Sequence, residues 1–184
     1  MTINLIGLLL SAALVSAAAP SAKKKIMERP MQTVVDAAFE VFAPGDWKIE
    51  RKPDGAVLTG PSVEGLPTRV IVRWVRPDHA LYGAPEAYMA RLTKASSIPM
   101  KGWKNGTVES VSAAGRKALR LQRDTTEFVP QGMSPKEVAM REEHVAVTAA
   151  QGFYLLVYAA PRSIDAAQRA VFRRLVETGF KPKL

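Results

Sequence analysis

The chain contains no cysteine. That excludes disulfide scaffolds, thiolate zinc sites, thioredoxin-type redox chemistry, c-type haem attachment and cysteine nucleophiles, and it offers no thiol to accept a lipid anchor. Histidine is nearly as scarce, with only His79 and His144. No helical H-x-x-x-H spacing exists, and neither G-x-G-x-x-G nor G-x-x-x-x-G-K-[ST] occurs, so no motif for nucleotide-dependent catalysis is present. Acidic residues are outnumbered, 17 Asp and Glu against 26 Lys and Arg. The resulting net charge of +9 favours anionic partners. Long apolar runs are missing too, apart from Leu5–Val15, which falls short of the roughly 20 residues that span a bilayer.

That run lies in a segment, Met1–Ala22, with no charged side chain. Small residues succeed it, Ser16-Ala17-Ala18-Ala19, and a cut after Ala17 or Ala18 satisfies the small-residue rule. The segment has the outline of a secretory signal peptide, although its first residues carry only the terminal amine as positive charge. Residues 1–22 are therefore expected to be removed on export to the periplasm or beyond. Residues 23–35 are expected to form a loose N-terminal arm, and 36–184 a single domain with no transmembrane anchor after cleavage.

Within that domain, turn signals delimit short strands. Asp36–Phe42 runs into Ala43-Pro44-Gly45-Asp46, and Trp47–Lys52 and Ala56–Thr59 flank Pro53-Asp54-Gly55 as a hairpin. Gly60–Pro67 reads as a loop. Arg69–Arg76 and Phe153–Ala160 are apolar on both faces, which marks interior strands, the second of them the central one. Thr107–Ala113, Lys117–Phe128 and Val138–Ala149 complete the set, and the alternation of Leu119 and Leu121 with Arg120 and Gln122 predicts one wet face. A first helix opens at Gly83-Ala84-Pro85-Glu86 and carries Ala84, Tyr88, Leu92 and Ala95 on one stripe. A last helix starts with Ser163 as N-cap, buries Ile164, Ala167, Val171, Phe172 and Leu175, turns Arg169 and Arg173 outward, and stops at Gly179. The fold class predicted is a layered α+β sandwich: a central, mostly antiparallel sheet of about six or seven strands flanked by helices.

The succession Phe39-Glu40-Val41-Phe42-Ala43-Pro44-Gly45-Asp46-Trp47, then Asp54-Gly55-Ala56-Val57-Leu58-Thr59-Gly60-Pro61, and late in the chain Gly152-Phe153-Tyr154-Leu155 before a closing helix with Phe172 and Leu175, resembles the PsbP/Mog1/DcrB-like superfamily. The resemblance covers most of residues 36–180 and rests on the order of parts. It implies an α+β fold and a binding or assembly role. The superfamily includes extrinsic photosystem subunits, a small-GTPase-binding factor and bacterial envelope proteins, and shares no catalytic motif.

Candidate sites are few. Glu142 and His144 share a strand face, and with His79 would make a nitrogen–oxygen set suited to a divalent ion. Read structurally, the same residues are strand positions facing arginines. Gly60-Pro61-Ser62-Val63-Glu64-Gly65 only mimics a nucleophile elbow, since its second glycine stands one residue too far along. Glu142 and Glu143 are adjacent and point to opposite faces. Arg162, Arg169, Arg173 and Arg174, with Lys181 and Lys183, give the last helix and tail a basic surface, and Lys23–Lys25, Lys101 and Lys104 add further clusters. The expected function is an exported, non-enzymatic binding or assembly protein of the cell envelope, acting through that surface on a protein or an anionic envelope component, without cofactor or nucleic acid. The other features support two alternatives: an envelope metal-dependent hydrolase using His79, Glu142 and His144, or a carrier whose apolar ligand lies among Tyr88, Met89, Leu92, Tyr154 and Tyr158.

Overall fold

The computed structural model describes residues 31–79, 83–94, 100–130 and 134–184. Eleven strands and two helices are found among them. Eight strands form one large sheet, seven of them in the order β3 (Lys48–Lys52), β4 (Gly55–Val63), β5 (Leu66–Val75), β10 (Phe153–Pro161), β9 (Lys136–Thr148), β8 (Arg116–Val129) and β6 (Lys104–Asn105), with β7 (Glu109–Ala113) as the eighth, paired along the outer edge of β8. β1 (Met31–Val35), β2 (Phe39–Pro44) and β11 (Phe180–Pro182) form a second, three-stranded sheet. Every pairing is antiparallel. No helix among the described residues is long and apolar enough to cross a membrane.

β10 sits in the middle of the large sheet, as its two apolar faces require. Its even positions, Tyr154, Leu156, Tyr158 and Ala160, enter a core with Val70, Val72, Val145 and Val147, over which the three-stranded sheet and the last helix pack through Phe39, Val41, Phe172 and Phe180. Its odd positions, Phe153 and Leu155, enter a second core with Val75, Leu121 and Ala146, covered by α1 (Pro85–Thr93) through Tyr88 and Met89. Two glycines are fixed by close approach. Gly152 has φ +68° and a Cβ there would stand 2.0 Å from the Val75 carbonyl oxygen. At Gly60 a Cβ would enter the indole of Trp47, so only a residue without a side chain lets that ring pack there.

Several expectations need correction. The arm drawn over residues 23–35 is too long: Met31–Val35 is a paired strand, in register from Met31 with Pro44 to Val35 with Glu40. The strand expected over Asp36–Phe42 starts only at Phe39 and runs on to Pro44, because Asp36 opens a turn in which its carboxylate accepts from the Ala38 amide. The loop at 60–67 is a hairpin, β4 and β5 joined through Glu64 and Gly65, both at positive φ, with Pro61 at the break in register between Thr59 and Ser62. The strand count exceeds six or seven because two short strands, β6 and β7, both pair along the edge of β8, and because the second sheet pairs distant, short segments. The first helix matches its predicted start, with Pro85 at its N-terminal end and Glu86 in its first turn; Ala95 lies outside the described residues.

The last helix, α2 (Asp165–Arg174), passes into a single π-helical turn over Leu175–Gly179. Gly179 ends it as expected, but Ser163 does not cap it. Ile164 occupies that position, and the Ser163 hydroxyl donates to Glu64 at 3.2 Å. Phe172 and Leu175 are buried, whereas Ala167 is exposed and Asp165 is buried.

Candidate functional site

β8 and β9 bring together every polar side chain of interest. Their register sets Leu121 opposite His144, Gln122 opposite Glu143 and Arg123 opposite Glu142. Strand alternation then sorts these residues onto two faces.

On the face under α1, His144 is buried between two partners. Its Nε2 lies 3.2 Å from Glu142 Oε2 and its Nδ1 2.7 Å from the Tyr88 hydroxyl. A carboxylate only accepts, so Nε2 carries the hydrogen, and in the neutral ring Nδ1 accepts from Tyr88. Arg123 Nε stands 3.0 Å from Glu142 Oε2 as a charge contact off the hydrogen-bonding direction, and its guanidinium stacks 4.6 Å from the centre of the Trp103 ring. Thr125 donates to Glu142 Oε1 at 3.2 Å. Burial alone would raise the Glu142 carboxyl; the His144 hydrogen bond and the Arg123 charge outweigh it and hold the group below the usual carboxylate range.

This network joins helix to sheet, and both imidazole nitrogens are used in doing so. His79 is an exposed residue after β5, and no three His, Asp or Glu residues among the described ones stand close enough together to hold a metal ion. The set His79, Glu142 and His144 is not assembled. The carrier reading fails on topology: Tyr88 and Met89 belong to one core, Tyr154 and Tyr158 to the other, and the sheet separates them. The two central tyrosines are instead tied down, Tyr154 donating to the Ala38 carbonyl and Tyr158 to Asp165. Burial pushes the Tyr158 hydroxyl far up, with the Asp165 charge adding to it.

The opposite face carries the second constellation. Arg120, Gln122 and Glu143 point beneath the last helix, so the face of β8 that alternation marked as wet is roofed by α2 and its π turn. There β7, β8, β9 and the helix enclose a cleft of about 210 Å³, lined by Val111, Ser112, Arg120, Glu143, Val145, Arg173, Val176 and Glu177. A smaller cavity of about 130 Å³ adjoins it, sharing Arg120 and bordered by Thr107, Glu109 and Gln122. Glu143 is 2% exposed, and Gln122 donates to its Oε2 at 3.1 Å. Burial raises its carboxyl above the usual range, and the nearby charges of Arg120, Arg173 and Arg169 only partly offset this. Arg120 is engaged by Glu109 at 2.5 Å.

The four arginines of the predicted basic surface have different fates. Arg169 is half-buried and bound to Asp165 at 3.2 Å, so it does not face outward. Arg162 is exposed and lies 3.8 Å from Asp124, which is itself paired with Arg141 at 2.7 Å. Arg173 and Arg174 are exposed and have no ion-pair partner among the described residues; Arg173 also lines the cleft. Sequence reasoning did not single out Arg120, Gln122 or Asp165 as site residues, and it gave Tyr88 an apolar role where the structure gives it a hydrogen bond to His144. The alternation that placed Arg120 and Gln122 on one face was visible, but what covers that face was not.

The sequence matches no family model and no curated protein. Among the solved structures that resemble the fold are the following two. Cyanobacterial PsbP (CyanoP) from Synechocystis sp. PCC 6803 is 13% identical, with a TM-score of 0.50 over 95% of this chain and 98% of its own. The Ran-binding protein Mog1p from Saccharomyces cerevisiae is 11% identical, with a TM-score of 0.50 over 84% of this chain and 96% of its own. At such identities the likeness concerns the fold alone.

Proposed function

We propose that this chain, which has the PsbP/Mog1/DcrB-like fold, is an exported, non-enzymatic binding or assembly protein of the cell envelope that engages an anionic partner through its last helix. The observation that supports this most directly is the pair Arg173 and Arg174, exposed side by side and without ion-pair partners among the described residues, while Arg162, Arg169, Arg120 and Arg141 all have acids nearby. Guanidinium groups free of ion-pair contacts suit bidentate contact with carboxylate or phosphate. The engagement of His144 by Tyr88 and Glu142 supports a structural rather than catalytic use of the only buried histidine among the described residues.

The reading is tested by capture from an envelope extract on the immobilised protein at low salt. A retained anionic partner that is lost from an Arg173→Glu/Arg174→Glu variant, and lost from the wild type as salt rises, is the expected result. Equal retention by wild type and variant overturns it.

A further inference from the structure

The cleft beneath the last helix is lined by three charged groups without an ion-pair partner among the described residues, Glu143, Arg173 and the exposed Glu177. Glu143 forms its floor, almost fully buried, with the Gln122 amide as its hydrogen-bond donor and no cation within ion-pair distance among the described residues. Arg173 stands at the wall with no carboxylate of its own. Of the other charges nearby, Arg120 is committed to Glu109 and Arg169 to Asp165, while Glu177 stands exposed at the rim. Buried carboxylates are ordinarily paired or multiply hydrogen-bonded, because loss of hydration must be made good by specific contacts. A buried anion and a cation that feel each other's charge without ion-pair contact, on the walls of one cavity, are complementary to a ligand that carries both charges itself.

Size narrows the choice. A cleft of about 210 Å³ holds roughly seven waters at about 30 Å³ each, and so a ligand of about that many heavy atoms, well below a drug-sized molecule. Val145 and Val176 offer a small apolar surface beside the charged groups. The site also lies at the π-helical turn, whose residues Val176 and Glu177 line it; such turns widen a helix and recur at functional sites.

We propose that this cleft binds a small free α-amino acid, its ammonium group on Glu143, its carboxylate on Arg173 and its aliphatic side chain against Val145 and Val176. The inference deepens the reading of the chain as a binding protein and uses the inner side of the same helix. The ligand is net neutral, so its affinity depends little on salt, unlike capture of an anionic partner.

Calorimetric titration of the purified protein with alanine, and separately with propionate and ethylamine, tests it. The expected result is saturable binding of alanine, at least tenfold weaker binding of either half-molecule, and at least a tenfold loss of alanine affinity in both Glu143→Gln and Arg173→Gln, with the thermal transition retained in each. Propionate binding as tightly as alanine reduces the cleft to an anion site and overturns the proposal. So does the absence of binding by alanine, glycine, serine and valine at millimolar concentration, which leaves Arg173 and Glu143 as an internal pair only. Either outcome is independent of envelope capture, which is read on a different ligand with a different salt dependence.

Discussion

Glu142 and Glu143 are one position apart on β9, and the alternation of the strand sends them to opposite faces of the sheet. Their environments differ in sign. Glu142 is held low by His144 and Arg123 against the cost of burial, so its contribution to stability is present above the unfolded carboxyl value of 4.5 and is lost as pH falls through the folded value below it. Glu143 is raised by burial. Between 4.5 and its folded value the native state binds more proton than the unfolded state, so stability declines as pH rises through that window, and the full penalty is present above the folded value. Glu143→Gln removes this penalty while its carbonyl still accepts from Gln122. The variant is expected to have a higher Tm than wild type at pH 7, with the difference shrinking as pH is lowered to 4.5. A lower Tm at pH 7 would mean that the arginines around the cleft stabilise the carboxylate more than burial penalises it. Burial at this residue was invisible in the sequence. Opposite pointing of the two acids was legible from their adjacency, but the roof over one face depends on where a helix many residues later comes to rest.

At the scale of elements, legibility tracked the locality of the signal. β10 announced itself through Phe153–Tyr158, apolar on both faces, and the start of α1 through Pro85 and Glu86, because each signature is complete within a few residues. β1 and β11 did not. Each is short, and each becomes a strand only by pairing with β2, Val41 meeting Phe180 across most of the chain. Pro61 and Gly65 read as loop residues, yet one sits at a register break and the other in a tight turn, positions where a strand tolerates them. The second sheet nevertheless anchors the core. Phe180 is buried with its ring centre 5.2 Å from that of Tyr154 and 6.1 Å from that of Phe39, and the Tyr154 hydroxyl accepts from the Leu184 amide. Phe180→Ala is expected to cost about 3–5 kcal/mol, the usual loss for a buried aromatic. Urea denaturation measures it. A loss below about 1 kcal/mol would show that β11 is dispensable and that the large sheet with α2 holds the fold unaided.

At the scale of the whole molecule, the absence of cysteine and the distribution of charge bear on the same question. Residues 1–22 hold no charged side chain, so the net +9 resides entirely in residues 23–184. Without disulfides, stability must come from apolar burial, and the sheet provides it twice, with a core on each face. A domain so built needs no oxidising compartment to fold. Export therefore has to be argued from the first segment alone, whose apolar run and small residues have the form that a signal peptidase reads. Expression of the full chain with a C-terminal tag in a bacterial host is expected to place it in the periplasmic or culture fraction, with an intact mass that begins after Ala17 or Ala18. Recovery of the uncut chain in the cytoplasm would remove the envelope from the proposed function. Binding of an anionic partner by Arg173 and Arg174 would then have to be sought among cytoplasmic components, at the same surface and with the same salt dependence.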